Sequence, residues 1–339
     1  MKKLVSIALP AYNAGPYIGA CLDCLLGQTY DNLEIVLMDD CSTDDTAQVV
    51  ASYTDPRIRY YKNEENMGIV HTLNKAYGLC RGEYIARMDA DDLCTLDRLE
   101  KQVALLEAMP DVGLVACDLE LFGARTGLIQ YSADPEVIKC RLLYSLQLAH
   151  NAWLFRRELL DVHALAYRDE YRYAEDWDFL VRASHVVRFS NVQEPLTGYR
   201  MFPNQSSKVH NQAQKAAADR VAKNQLDNLG VELSEAEFEA YRKGFGKGEV
   251  LLSEEHMTLL LQALGKLERA NKTVRFYDPQ VLHRVIREEV YKVCYFNLMN
   301  RQRSGLGLFG SAYYKGLKLG ASMRCKLLLR GAVTSVLGK

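Results

Sequence analysis

The first 120 residues alternate short apolar runs with amphipathic segments, and this alternation limits the possible folds more than any other feature. The apolar runs have the length and residue types of buried strands, and they span residues 4–9, 33–38, 58–61, 84–88 and 112–117. The segments between them space their apolar residues as helices do, and they span residues 17–28, 43–52, 68–80 and 96–108. This regular alternation predicts an α/β fold in which helices flank a mostly parallel sheet.

After residue 120 the pattern changes. Residues 121–210 are less regular, whereas residues 211–339 are polar and helical in pattern. Ser234 and Glu237 have the spacing of a capping box, in which each side chain satisfies a backbone N–H at a helix start. We therefore expect a domain over residues 1–210, followed by a helical C-terminal extension. Further helices are predicted at residues 253–269 and 279–300.

The composition is that of a globular protein, and it excludes some classes of function. The chain has 339 residues, of which 25% are charged and 48% hydrophobic, so a sizeable core can form. The formal net charge is -1, and we expect no nucleic-acid partner. The nine cysteines argue against a disulfide framework, and no apolar run is long enough to span a membrane. These features predict a cytoplasmic protein.

Polar residues follow three of the predicted strands at the point where each strand ends. Ligands of parallel sheets bind at the carboxyl ends of the strands. We therefore expect these side chains to converge on one crevice. The residues concerned are Pro10 and Tyr12 after the first strand, Asp39 and Asp40 after the second, and Asp89, Asp91 and Asp92 after the fourth.

The last of these groups predicts a metal site. Asp89 and Asp91 form a D-x-D motif with Asp92 beside it, and carboxylates this close repel one another unless a cation lies between them. Mg²⁺ and Mn²⁺ prefer oxygen ligands and are commonly held by one or two carboxylates together with substrate phosphates. The competing interpretation is a solvated helix cap, which would not explain the second acidic strand end at Asp39 and Asp40.

Several segments, in a fixed order and spacing, resemble family 2 glycosyltransferases of the GT-A fold, of the bacterial surface-polysaccharide type. They are "VSIALPAYNAGPYIGACLDCLLGQTYDNLEIVLMDDCSTDDT", "NEENMGIVHTLNKAYGLCRGEYIARMDADD", "DRLEKQ" and "YAEDWDFLVR". The resemblance covers about residues 3–205. It implies a Rossmann-like catalytic domain, with a nucleotide-sugar-binding half at 1–120 and an acceptor-binding half at 121–210.

The resemblance also implies an activity. A sugar would move with inversion from a nucleoside diphosphate sugar, a UDP-sugar first of all, to a hydroxyl of a glycan or lipid-linked acceptor. The enzyme would be a hexosyl- or hexosaminyltransferase assisted by Mn²⁺ or Mg²⁺, with one carboxylate as the general base. Its place would be in the synthesis of cell-surface polysaccharide.

Residue roles follow from the positions that match the family's motifs. The resemblance implies donor binding by Pro10, Tyr12, Asp39, Asp40, Asn66, Gly68 and Asp89, and metal binding by Asp91, Asp89 and Asp92. It puts Asp176 at the position of the catalytic base. Acceptor-side candidates are Glu175, Trp177, His150 and Arg200. The competing interpretations are that Tyr12 and Trp177 are core residues, that Asp40 caps a helix and that Asp176 is an exposed acid on a helix.

Two positions depart from the family's pattern. Leu96 stands where the family often has Pro, so the resemblance does not fix the start of the helix at 96–108. Phe202 stands where the family often has His, so the chain must use another metal or phosphate ligand there, or none. Arg200 could reach a phosphate instead.

The end of the chain and two other functions complete the expectations. Residues 301–339 are basic and contain no acidic residue, which predicts contact with an anionic membrane surface or, alternatively, packing against the domain.

A non-catalytic nucleotide-sugar-binding homologue remains an alternative to the enzyme. So does a nucleotidyltransferase that makes nucleotide sugars, although residues 10–15, PAYNAG, lack the basic phosphate-binding loop that such an enzyme normally has.

Overall fold

The structure is a computed structural model that describes residues 2–203, 211–246, 248–300, 302–306, 311 and 313. The chain divides into two compact units, which we call the first unit and the second unit. The first comprises Met1–Leu142 and Leu146–Val221, and the second comprises Leu143–Ser145 and Ala222–Lys339.

The first half of the sheet in the first unit is parallel, as the alternation predicts. Its strands are β1 (Val5–Ala11), β2 (Leu33–Asp39), β3 (Ile58–Lys62) and β4 (Tyr84–Arg87). They lie side by side in the order β3, β2, β1 and β4. Every residue of β1, β2 and β4 is buried, which explains why these strands are continuously apolar rather than alternating. Their carboxyl ends face the same edge of the sheet, with Ala11 paired to Asp39 and Ala8 paired to Arg87.

Four helices connect these strands and cover the sheet. They are α1 (Gly15–Leu26), α2 (Thr46–Ala51), α3 (Ile69–Leu79) and α4 (Arg98–Ala108). Helix α1 buries Ile18, Leu22 and Leu25 at the helical spacing seen in the sequence. The fourth helix begins at Arg98 rather than at Leu96. Leu96 is 54% exposed and its carbonyl accepts a hydrogen bond from the backbone N–H of Thr29, so it belongs to the preceding loop.

The second half of the sheet is mixed. It contains β5 (Leu93–Cys94), β6 (Val112–Gly123), β7 (Gly127–Ile129), β8 (Leu154–Arg156) and β9 (Arg188–Met201). Strand β8 runs antiparallel to β4 and β6, whereas β6 and β9 are parallel. The expectation of a mostly parallel sheet flanked by helices is confirmed, and each antiparallel pair includes a strand of this second half. Three helices accompany these strands: α5 (Pro135–Arg141), α6 (Glu158–Asp161) and α7 (Glu175–Ala183).

The segment DRLEKQ fixes the end of β4. Arg98 is 1% exposed, and its guanidinium donates to the carbonyl of Arg87 (2.8 Å) and to Oε1 of Gln102 (3.1 Å). Gln102 in turn donates through Nε2 to the carbonyl of Ala152 at 2.7 Å. These buried bonds tie α4 to the strand that precedes the D-x-D motif, so the segment is structural support for that turn.

The helices after residue 210 are α8 (Asn211–Asn228), α9 (Glu235–Gly244), α10 (Glu254–Val274) and α11 (Pro279–Met299). The predicted capping box is confirmed: Ser234 Oγ accepts from the N–H of Glu237, and the Glu237 carboxylate accepts from the N–H of Ser234. None of the described helices has the length and apolar character needed to cross a membrane. The predicted membrane contact of residues 301–339 lies almost entirely outside the described residues.

Candidate active site

A cavity of about 800 Å³ opens in the first unit at the carboxyl ends of β1 and β4, next to the starts of α3 and α7. It brings together side chains from parts of the sequence that are far apart. Of the predicted site residues, those that line it are Pro10, Tyr12, Asp40, Asn66, Gly68, Asp89, Asp91, Glu175 and Asp176. Tyr12 is 52% exposed at the cavity wall and is therefore not a core residue. The predicted convergence of polar strand ends is present in the structure.

Five predicted residues do not line the cavity: Asp39, Asp92, His150, Trp177 and Arg200. Asp39 is fully buried, and its carboxylate accepts from the N–H of Ser42 (2.7 Å) and the hydroxyl of Tyr60 (2.6 Å). Trp177 is 4% exposed and donates through Nε1 to the carbonyl of Leu142 at 2.8 Å. Both side chains therefore support the loops around the cavity rather than face it.

The acidic turn after β4 gathers Asp89, Asp91 and Asp92, with one carboxylate oxygen of each within 4.8 Å of the others. Asp92 is buried and accepts from Asn151 Nδ2 and from the N–H of Arg200, so it holds the turn together. Asp89 and Asp91 face the cavity. Burial and the neighbouring carboxylates raise the pKa of Asp91 to about 6 and that of Asp92 to about 8. The positive charges of Arg87 and Arg200 offset only part of this effect: Arg87 Nη1 donates to Oδ2 of Asp89 at 2.6 Å, yet both pKa values stay raised.

This donor set fits a hard divalent cation. It consists of carboxylate oxygens on one turn, which is the chemistry that Mg²⁺ and Mn²⁺ prefer. Since Asp92 is already engaged, Asp91 and Asp89 would hold the ion. No His or Cys joins this cluster among the described residues. At the position where the family often has His, the Phe202 ring packs edge-on against Tyr17 with centroids 5.5 Å apart and offers no ligand.

Asp40 braces the loop that leads into α3. Its carboxylate accepts from Asn63 Nδ2, from the N–H of Met67 and from the N–H of Gly68, each at 2.8 Å. Burial alone would raise the pKa of Asp40, but these hydrogen bonds outweigh it and lower the pKa. Asp40 therefore does not cap the helix after Ser42, which was the competing interpretation. Its carboxylate accepts from the backbone at the start of α3 instead.

Gly68 is required by the shape of this loop. Its φ of 80° lies in the region that L side chains rarely adopt, and a Cβ there would lie 3.1 Å from Nη2 of Arg172. Arg172 is exposed and lines the cavity, where it adds positive charge at the rim. Arg172 is not predicted from the sequence, because nothing local to residues 168–173 marks it as a neighbour of residue 68.

The opposite wall of the cavity carries a second acidic pair at the start of α7. The Asp176 side chain is 23% exposed, and its Oδ1 accepts from the N–H of Trp177 at 2.7 Å. Burial raises the pKa of Asp176 to about 6. Glu175 is buried, and its Oε2 has no hydrogen-bond partner in the described part of the chain. Burial, followed by the charge of Asp176, raises the pKa of Glu175 to about 7.

His150 lies behind this wall. Its Nδ1 is 3.9 Å from Oδ2 of Asp176, and its Nε2 is 2.6 Å from the hydroxyl of Tyr167. Burial and the nearby charge of Arg87 lower the pKa of His150 well below its ordinary value. The imidazole is therefore neutral at neutral pH and does not serve as a cationic partner for Asp176.

Other cavity residues are not predicted from the sequence: Tyr17, Thr72, Arg87, Tyr173 and Gln214. For Arg87, however, the sequence does contain an indication of a functional position. It is a charged residue at the end of a continuously buried strand and lies two residues before the D-x-D motif, and buried arginines are rare unless they are paired.

Comparison with known proteins places the chain in a family. The family model described as glycosyl transferase family 2 matches residues 6–161. An uncharacterized glycosyltransferase of Haemophilus influenzae is 32% identical over 248 residues, which are 68% of this chain and 76% of that protein. The chain therefore belongs to glycosyl transferase family 2 and is a glycosyltransferase, as the motifs predict.

Two further comparisons extend this result. Chondroitin synthase of Escherichia coli is 29% identical over 233 residues, which are 67% of this chain but 33% of that protein. The crystal structure of S. aureus TarS 1-349 in complex with UDP-GlcNAc superposes with a TM-score of 0.58 at 19% identity and covers 91% of this chain and 93% of that chain. At that identity the likeness is one of fold, and it confirms the predicted GT-A-like α/β architecture.

Proposed function

We propose that the enzyme transfers a sugar, with inversion, from a nucleoside diphosphate sugar to a hydroxyl of a glycan or lipid-linked acceptor in bacterial cell-surface polysaccharide synthesis. The observation that carries this proposal is the single cavity that holds the acidic turn on one side and Asp176 on the other. A UDP-sugar is the proposed donor, since TarS has a similar fold and binds UDP-GlcNAc. A polysaccharide product is supported by the similarity to a bacterial chondroitin synthase.

On the donor side, the residues at the ends of β1 and β2 would hold the nucleoside. Pro10 and Tyr12 present an apolar wall. Asp40 stabilises the loop that carries Asn66 and Gly68 by accepting from the N–H groups of Met67 and Gly68, and the second lone pair of its Oδ2 could accept from the base. Asp39, which lies behind Asp40, would contribute by fixing the loop through Ser42. The nucleotide would therefore contact a surface that is already rigid before it binds.

Asp91 and Asp89 would hold Mn²⁺ or Mg²⁺, and Asp92 would hold the turn in place through Asn151 and the backbone of Arg200. A bound ion at this turn would supply the positive charge that makes the diphosphate a better leaving group.

Asp176 would act as the general base. In the transfer, the acceptor oxygen bonds to the anomeric carbon while the proton of that hydroxyl moves to the Asp176 carboxylate. The bond between the anomeric carbon and the diphosphate oxygen breaks, and its electron pair leaves with the nucleoside diphosphate. Attack from the face opposite the leaving group inverts the configuration. A pKa of about 6 leaves Asp176 ionised at neutral pH yet basic enough for this role.

The acceptor side would be shaped by the same wall. Glu175 lines the cavity with a carboxylate oxygen that has no donor among the described residues, and an acceptor hydroxyl could supply one. Trp177 and His150 would position Asp176, the first through its backbone N–H and the second through its ring. Arg200 would not contact the acceptor directly. It would stabilise the acidic turn, since its Nε donates to the carbonyl of Asp91 at 2.8 Å.

We further assign catalysis to residues 1–210, to which Gln214 adds one side chain at the cavity, and regard the rest of residues 211–339 as a separate helical region. The scattered cysteines favour the cytoplasm, and the basic segment 301–339 would bring the enzyme to the inner face of the membrane. A lipid-linked acceptor would lie at that face.

The test uses Asp176→Asn on the full chain. Purified protein is incubated with Mn²⁺ and UDP-GlcNAc, UDP-glucose or GDP-mannose, and the release of nucleoside diphosphate is followed. We expect turnover of at least one donor by the wild type and a loss of about 10²- to 10⁴-fold in the variant, with Mn²⁺-dependent UDP binding retained.

The matched control is Asp169→Asn, an acid with a 61% exposed side chain that precedes the same helix and lies outside the cavity wall. It should leave turnover unchanged. Undiminished turnover by Asp176→Asn would refute the base assignment. Nucleotide binding by the wild type without turnover of any donor would instead favour a non-catalytic homologue.

A further inference from the structure

Arg87 is a buried arginine that lines the cavity. It is 4% exposed, ends β4 and lies two residues before Asp89 of the acidic turn. Its Nη1 donates to Oδ2 of Asp89 at 2.6 Å. Its Nε is buried and has no hydrogen-bond partner among the residues that the structure describes. A buried guanidinium normally has its donors satisfied, so one with an unused N–H beside a ligand cavity is held there for a functional reason.

The backbone on both sides of this side chain is fixed. The N–H of Arg87 donates to the carbonyl of Trp153 at 2.8 Å, and its carbonyl accepts from Arg98 Nη2 at 2.8 Å. Arg87 is also paired in register with Ala8 of β1. The guanidinium therefore starts from a rigid anchor, which is what a group that orients others requires.

The positive charge of Arg87 acts on both acidic walls of the cavity. On the metal side it is paired with the Asp89 carboxylate at 2.6 Å. On the base side it lowers the pKa of Glu175 and Asp176, in each case against the larger effect of burial. The two walls repel one another, since Asp89 raises the pKa of Asp176. A cation between them offsets this repulsion.

Other charged and titratable groups face Asp176 from the surrounding elements. They are Asp89 and Asp91 on the acidic turn, Glu175 beside it, His150 and Tyr167 behind it, Tyr131 near it and Arg172 at the rim. His150 is neutral, and Arg172 is exposed to water, which screens its charge. Within the described ranges, Arg87 is therefore the buried cation whose charge acts on Asp176.

We propose that Arg87 is a positioning residue of the transfer reaction: its guanidinium orients the Asp89 carboxylate at the metal site and places a buried positive charge opposite the general base. This inference rests on the proposed function. It predicts that one side chain couples two properties that are otherwise separate, the affinity for the divalent ion and the pH at which the base becomes active.

The test compares Arg87→Lys, Arg87→Gln and Arg87→Met with the wild-type full chain. The rate of UDP release is measured from about pH 5 to about pH 9 at saturating Mn²⁺, with the donor that the wild type turns over. The half-saturating Mn²⁺ concentration is measured separately from UDP binding at high pH. Arg87→Gln keeps a hydrogen-bond donor for Asp89 but removes the charge, and Arg87→Lys keeps the charge.

We expect the acid limb of the rate profile to move upward by about one pH unit in Arg87→Gln and Arg87→Met, and to stay in place in Arg87→Lys. The half-saturating Mn²⁺ concentration should rise by about 10- to 100-fold in Arg87→Met and by less in the other two variants, as for other residues that orient metal ligands. The control is Arg125→Met, an exposed arginine away from the cavity, which should change neither property.

An acid limb and a Mn²⁺ requirement that are both unchanged in Arg87→Gln would overturn the proposal. The proposal would also be overturned if Arg87→Lys and Arg87→Gln shifted the acid limb equally and raised the half-saturating Mn²⁺ concentration equally. The shape of the arginine side chain, rather than its charge, would then explain both effects. The Mn²⁺ measurement needs no turnover, so it still decides the role of Arg87 toward Asp89 if no donor is consumed. If Arg87→Met does not fold, Arg87→Gln and Arg87→Lys give the same decision.

Discussion

Two acidic strand ends in the first unit look alike in sequence and differ in structure. Asp39 ends β2 and Asp40 follows it, and both carboxylates accept from several protein donors: Asp39 from Ser42 and Tyr60, and Asp40 from Asn63 and the start of α3. Asp89 and Asp91 follow β4 and face the cavity. In the part of the chain that the structure describes, Asp89 accepts from the Arg87 side chain, and neither carboxylate accepts from the backbone of a neighbouring loop as Asp40 does.

The difference shows how a fold separates supporting carboxylates from ligand-binding ones. Hydrogen bonds from the protein lower the pKa of Asp40, whereas burial and mutual repulsion raise the pKa of Asp91 and, across the cavity, burial raises that of Asp176. A carboxylate whose charge is satisfied by its own loop stabilises that loop. One whose charge is left unsatisfied is available to a cation or a proton, and the fold loses stability by keeping it there.

The largest effect should come from Asp91→Asn. Removal of one of the two carboxylates available to the ion should reduce Mn²⁺-dependent turnover by roughly 10³-fold, equivalent to about 4 kcal/mol of transition-state stabilisation. Thermal stability should be unchanged or higher, because a buried negative charge is removed. Steady-state rates of UDP release and an unfolding scan without metal provide the measurements. A variant that loses stability together with activity would show that Asp91 stabilises the fold of the turn rather than serving only to bind the ion.

Asp176→Asn should stabilise the protein at high pH. The pKa of Asp176 is raised to about 6 from an ordinary 3.8, so its contribution to stability is fully present below pH 3.8 and is lost as the pH rises through 6. The Asn side chain does not ionise, so the variant avoids this decrease in the free energy of unfolding, which is about 2 to 3 kcal/mol at pH 8. The apparent unfolding temperature, measured without metal, should exceed that of the wild type at pH 8 and approach it near pH 4. A constant difference across this range would contradict the assignment.

Asp40→Asn should destabilise the protein, and the loss should be larger at neutral pH than in acid. The lowered pKa of Asp40 means that its contribution is present above pH 3.8 and is lost as the pH falls through the pKa of the folded state. An amide cannot accept from all three donors, so we expect a loss of about 2 kcal/mol at neutral pH, which shrinks in acid. Nucleotide binding should weaken as the loop loosens, while the Mn²⁺ requirement stays the same. A changed Mn²⁺ requirement would mean that the two strand ends act as one site.

The smallest effect should come from Tyr60→Phe. It removes the 2.6 Å hydrogen bond to Asp39 from a residue that is 37% exposed, and it should cost about 1 kcal/mol. Turnover and Mn²⁺ dependence should be unchanged, as measured by the same rate assay and unfolding scan. A large loss of turnover would place Asp39 in the donor site rather than behind it.

The parts of this fold that depend on local pattern were predictable from the sequence. Strands β1 to β4, the helices between them and the capping box at Ser234 appear where the spacing of apolar residues and caps puts them. Strand β9 was missed. Its Pro195 and Gly198 interrupt the pattern, and its pairing with β6 joins residues some 75 positions apart, which no local window reveals.

The candidate site was predictable in its motifs but not in how its side chains divide their tasks. The sequence marks both Asp39 and Asp40 as polar strand ends, yet only the folded loop shows that Tyr60 and Ser42 take up the first carboxylate. Trp177 follows the candidate base, but the helix turns its ring away from the cavity. Burial and hydrogen-bond partners decide such cases, and both depend on contacts between distant segments.

The most direct test of this contrast is calorimetric titration of UDP, with and without Mn²⁺, into the wild type, Asp91→Asn and Asp40→Asn. We expect Mn²⁺ to strengthen UDP binding to the wild type and to have no effect on Asp91→Asn, which should keep the metal-free affinity. Asp40→Asn should bind more weakly by the same factor in both conditions. Metal enhancement that survives in Asp91→Asn, or that disappears in Asp40→Asn, would contradict the division between a supporting and a ligand-binding strand end.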